Sequence, residues 1–118
     1  MDNTVVIEVR QVAEIIKGAV RAMESGQPEP HPRISFQTPE MLWKTLTPKR
    51  WELLRMMCGA GPMSIREAAR RLGRDVKAVH GDVTSLLNAG VLWHAESGGI
   101  EFPFEAIRVE FTVTPAAA

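Results

Sequence analysis

The chain has 118 residues, 45% of them hydrophobic and 24% charged, and its formal net charge is zero. That is the make-up of one ordinary globular domain able to bury a core. No apolar run reaches the length of a membrane span, the N-terminus lacks a signal peptide's basic start and apolar core, and the one cysteine, Cys58, excludes an intramolecular disulfide, so a cytoplasmic protein is expected.

The zero net charge hides an uneven distribution. Residues 41 to 81 hold nine basic residues against three acids, residues 1 to 40 hold four against six, and residues 82 to 118 hold one against five. A basic centre between acidic flanks suggests a face directed at a polyanion, with solvated helix surfaces as the alternative.

Residues Thr4 to Val9 are β-branched and apolar, which predicts a covered strand. From Val12 the period changes, and Val12, Ile15, Ile16, Ala19, Val20 and Met23 trace one helical stripe opposite Glu14, Lys17 and Arg21. Gly26 ends this helix and a proline-rich linker follows, so residues 1–26 read as a strand–helix extension and 27–37 as linker and short strand. A strand–helix unit of this size is not stable alone. Its stripe must pack on the main domain, on a second copy or on another protein.

Ile34 and Phe36 alternate in that short strand, and Thr38-Pro39-Glu40 then opens a helix burying Met41, Leu42, Leu46 and Trp43. Thr47-Pro48 repeats the start signal, and Trp51, Leu54, Met57 and Cys58 recur at helical spacing until Gly59. Next comes Pro62 to Trp93. Ser64 and Glu67 have the spacing of a capping box, and Ile65, Ala68, Ala69 and Leu72 form an apolar face. Gly73 suits a left-handed stop. A second helix from about Asp75 would bury Val76, Val79, Val83, Leu86 and Leu87. A small Ala69, a Gly73 turn and a Val79 anchor suit two short helices that cross closely, a helix-turn-helix. Val91 to Trp93 and Gly99 to Phe102, joined through Ser97-Gly98-Gly99, predict a β-wing. Ile107, Val109, Phe111 and Val113 alternate with polar residues, a strand with one buried face that needs an antiparallel neighbour in Val5–Val9 or Ile34–Phe36. The fold class is therefore α+β, a winged helix-turn-helix over residues 38–113 with a disordered tail at 114–118.

Residues 33 to 113 resemble small prokaryotic winged helix-turn-helix transcriptional regulators of the MarR and ArsR type. The likeness is carried by RISFQTPEMLWKTLTPKRWELLRMM, GAGPMSIREAARRLGRDVKAVHGDV, LLNAGVLW and IRVEF. Because members of that group often neighbour small toxin genes, the resemblance implies an antitoxin-type repressor.

In a helix-turn-helix the second helix enters the major groove, which here would bring Arg74, Lys77, Ala78, His80, Gly81 and Thr84 to base edges. Arg66, Arg70 and Arg71, with Ser64 at the start of their helix and Lys49 and Arg50 on the preceding one, suit phosphate contacts. The three histidines are scattered, no His/Cys set has metal spacing and no glycine loop cradles a phosphate, so neither an enzyme nor a cofactor is expected. The leading expectation is a homodimeric repressor on double-stranded DNA. The neutral charge, Gly81 and the wing turn Ala95–Gly99, which has no basic residue, favour an alternative. In it the chain is an interaction module whose Val12–Met23 stripe neutralises a partner such as a small toxin, with weak or no DNA binding.

Overall fold

The computed structural model describes residues 3–27 and 31–112; the middle of the proline-rich linker, Val113 and the tail expected to be disordered lie outside the described residues. The architecture is α+β. Strand β1 (Thr4–Val9) is buried from Thr4 to Glu8. Side chains on a strand alternate between faces, and Val5 and Ile7 enter the main core. Glu8 lies on the opposite face, where Arg10, Arg33 and Ser35 donate hydrogen bonds to its carboxylate. That pairing offsets the cost of burying its charge.

Strands β2 (Arg33–Phe36) and β5 (Ala106–Glu110) flank β1 in the order β2-β1-β5, and both run parallel to it. The antiparallel neighbour expected for the last strand is therefore corrected to a parallel one. Its direction is set at the strand starts, where Glu105 donates its N–H to the Asn3 carbonyl at 2.8 Å and the Asn3 side chain donates to the Pro103 carbonyl at 2.8 Å. Strands pinned at the same end must run the same way. The expected buried face of β5 is also only half realised: Ile107 packs against the core, but Val109 stays 41% exposed because β5 is an edge strand.

Helix α1 (Val12–Ser25) is the crossover between β1 and β2, and none of its residues is buried. It lies over the polar face of the sheet across a cleft of about 300 Å³, with Ile15, Gly18, Ala19 and Ala22 turned toward Glu8, Arg33 and Ser35. Val12, Ile16, Val20 and Met23 form the rest of its stripe and are exposed.

The apolar face of the sheet carries α2 (Pro39–Thr45), α3 (Pro48–Met57), α4 (Ile65–Leu72) and α5 (Val76–Asn88). Each starts where a short polar side chain can cap it: Thr38, Thr47, Ser64 and Asp75 accept from the backbone N–H of Met41, Arg50, Glu67 and Ala78. The capping box at Ser64 is only half made, because the Glu67 carboxylate turns to Arg70 and Arg71 instead of returning to the cap. Gly73 adopts φ 63°, which lets Gly73 and Arg74 satisfy the last carbonyls of α4 and start the turn. Leu42, Leu54, Met57, Ala69, Val79 and Val83 fill the space between these helices and the sheet. Met41, Trp43 and Val76, expected inside, are exposed. Trp43 rests its ring edge to face on Phe111 instead, with centroids 5.4 Å apart.

A short hairpin of β3 (Trp93–His94) and β4 (Ile100–Glu101) closes the helical layer. Its return strand is shorter than the expected Gly99–Phe102, and Met63, just before α4, adds a bridge by exchanging two backbone hydrogen bonds with Ile100. Gly99 sits at φ 79°, and a Cβ there would collide with the Met63 carbonyl. Gly99→Ala is therefore expected to cost more than about 1 kcal/mol, read as a lower urea midpoint.

Candidate nucleic-acid interface

Helix α5 presents Lys77, Ala78, His80, Gly81 and Thr84 to solvent, while Val79, Val83 and Leu86 hold its other side in the core. The helical repeat puts the first set on one outward surface. Lys77 has no ion-pair partner among the described residues. The Thr84 hydroxyl donates to the His80 carbonyl at 2.9 Å, one turn back. A Cβ on Gly81 would meet nothing within 4 Å. Nothing inside the chain therefore requires glycine there.

Arg74 is a correction. It is grouped by sequence with the reading residues, but its side chain is only 14% exposed and Nη2 donates to Asp82 Oδ2 at 2.7 Å. Its Nη1 is buried and has no partner among the described residues. Arg50, expected at flanking phosphate, is likewise turned inward. Its Nε donates to Asp82 Oδ1 at 3.1 Å, its Nη2 to Ser85 Oγ at 3.1 Å and its Nη1 to the Thr45 carbonyl at 2.9 Å. One guanidinium thus closes the end of α2, begins α3 and grips α5. Burial pushes the Asp82 carboxyl up, but the bonds from Arg74 and Arg50 outweigh it and hold the pKa below the ordinary value.

On α4, Arg66, Arg70 and Arg71 are exposed. Arg70 and Arg71 both pair with Glu67, Arg70 through two bonds of 2.6 Å. Those bonds lower the Glu67 pKa to about 2 and raise that of Arg70. Arg70 remains 72% exposed, so its charge still faces water. Ser64 spends its hydroxyl on the cap of α4, and Lys49 is exposed at the start of α3. The structure thus keeps Lys49, Arg66, Arg70, Arg71 and Lys77 at the surface and removes Arg50 and Arg74.

Asp82, where both inward arginines converge, is the residue of this region that sequence reading passed over. The signal was its place on the flank of α5, eight residues beyond Arg74, but spacing alone could not show Arg50 arriving from 32 residues away. Among the described residues no group of three or more His, Cys, Asp or Glu is placed to hold a metal, and no helix is long and apolar enough to cross a membrane. Cys58 is half-buried, and burial pushes its thiol pKa up.

Residues 45–109, more than half of the chain, match the HVO_A0114 family, and the chain belongs to it. The match runs from the end of α2 through α3, α4, α5 and the hairpin into β5. No curated protein and no solved structure matches the chain.

Replacing Asp82 with Asn would leave two enclosed guanidinium groups without a counter-charge. Asp82→Asn is expected to lose roughly 3 kcal/mol at neutral pH, the low end for breaking a buried pair. Because the folded pKa of Asp82 is depressed, its contribution is complete above the unfolded carboxyl pKa and fades as pH falls through the lower folded value. Denaturation series at neutral and acid pH should show the gap between variant and wild type closing on acidification.

Proposed function

We propose that the chain is a winged helix-turn-helix DNA-binding regulator, acting as a dimeric repressor. In this reading α4 and α5 are the helix-turn-helix, the β3–β4 hairpin is the wing, and α5 lies in the major groove of double-stranded DNA. The observation that carries it is the outward surface of α5, where Lys77, Ala78, His80 and Thr84 are exposed on a helix whose other side is anchored in the core. Lys77 can donate to guanine O6 and N7, and Ala78 can meet a thymine methyl. Arg66, Arg70, Arg71 and Lys49 would hold phosphate, which makes binding depend steeply on salt.

The test is a mobility shift on the DNA upstream of the gene at two salt concentrations. The triple variant Arg70→Ala, Arg71→Ala, Lys77→Ala is expected to bind more weakly on every sequence, with the salt slope shallower by about one for each phosphate contact removed. Equal binding by wild type and triple variant would sink the DNA reading. Gly81 provides a second measurement. Gly81→Ala is expected to stabilise the free chain by up to about 1 kcal/mol, since alanine is the better helix former and meets no obstacle. A simultaneous loss of DNA affinity would place the α5 backbone against the duplex.

A second reading is favoured by α1, which exposes Val12, Ile16, Val20 and Met23 along one side. In that reading the stripe binds and neutralises a protein partner of the small-toxin class, and the DNA contact is secondary. Ile16→Glu should then abolish co-purification of the neighbouring gene product while leaving the melting curve unchanged.

A further inference from the structure

We infer that two copies of the chain join by antiparallel pairing of β5 with β5, which fuses two three-stranded sheets into one sheet of six. The open edge is defined by the hydrogen-bond pattern. Val6 donates its N–H to the Pro32 carbonyl, so the even residues of β1 bond β2 and its odd residues turn toward β5. With Val5 level with Ile107, the even residues of β5 bond β1. The N–H and C=O groups of Ile107, Val109 and Phe111 are left on the outer side. No strand among the described residues takes them.

Edge strands usually carry a proline, a lysine, a bulge or an inward charge that discourages pairing. Residues 106–112, AIRVEFT, contain no proline, glycine or lysine. Val109 is 41% exposed on the apolar side of the strand, and the 55% exposed Trp43 rests on Phe111 beside it. These provide an apolar margin along the same edge.

The occupant is identified by the self-complementarity of the segment. With the two-fold axis at Val109, Val109 meets Val109 of the second copy, Ile107 meets Phe111, and Arg108 meets Glu110 twice. Centring the pair on Arg108 sets arginine against arginine, and centring it on Glu110 sets acid against acid. Arg108 and Glu110 fall in the non-hydrogen-bonded positions, where opposing side chains come closest. Within one chain Arg108 Nε already lies 3.0 Å from Glu110 Oε1, with both side chains half exposed. Pairing completes a square of alternating charges. An axis normal to the sheet also keeps both α2–α5 layers on one side. The pairing rests on β5 alone, and the use of that arrangement to set two α5 helices on one duplex rests on the DNA-binding reading.

The experiment is sedimentation equilibrium on the full chain, with Arg108→Glu, Glu110→Arg, the double swap, and an equimolar mixture of the two single variants. Wild type should be a dimer. Each single variant should raise the dissociation constant at least tenfold, because two attractive pairs become two repulsive ones. The double swap should restore the dimer, and the mixture should form a heterodimer, which loss of the exposed intrachain pair cannot explain. Ile16→Glu should leave the dimer intact. A monomeric wild type, a dimer indifferent to both single variants, a mixture that stays monomeric, or a dimer dissociated by Ile16→Glu would each overturn the inference. Mobility shifts on the same samples separate the two ideas: a dimer that behaves as described without binding DNA upholds the strand pairing and removes only the regulator reading.

Discussion

The carboxylate of Asp82 fixes how α5 stands on the rest of the molecule. Two guanidinium groups bond its two oxygens, Arg50 from the junction of α2 and α3 and Arg74 from the turn before α5. Apolar packing at Val79 and Val83 holds α5 on the core. The ion pairs add directed hydrogen bonds to that packing. Arg50 also closes the last carbonyls of α2, so the clamp extends from the sheet-bound helix to the exposed one. The outward surface of α5 is therefore presented at one angle by charges that are themselves mostly enclosed.

That clamp changes the meaning of the basic composition. Nine basic residues between positions 41 and 81 suggest a strongly positive face. Two of them are consumed internally by Asp82, and Arg70 and Arg71 share Glu67. What remains is a field from Lys44, Lys49, Arg55, Arg66, Lys77 and the far sides of the α4 arginines.

Local features were legible in the sequence because they depend on residues a few positions apart. The four caps at Thr38, Thr47, Ser64 and Asp75 each follow from an oxygen three residues before an orphan N–H. The apolar faces of α4 and α5 follow from the helical repeat in the same way. What failed was non-local. The direction of β5 depends on Asn3, about a hundred residues away, and alternation along a strand carries no information about its neighbour's direction. Arg50 and Arg74 read as surface residues because arginine usually is one. Met41 and Trp43 read as core because bulk and apolarity cannot show that α2, a helix of two turns, has only one side against the sheet. At the candidate site the outward face of α5 was legible and the clamp beneath it was not.

The pairing of β1 with β5 has a consequence for biosynthesis. The middle strand of the sheet is made first and one of its two neighbours last, with the whole helical layer between them. During translation β1 can meet β2 as soon as α1 has formed, while its other edge stays bare until residues 106–110 leave the ribosome. Closing so long a loop adds little entropy beyond a loop of half the length, but it must await contacts that are distant in sequence. The α3–α5 helices, whose contacts are local, can be in place by then. The nascent chain therefore carries one open edge of an apolar strand from the emergence of β1 until that of β5, the strand that shields it.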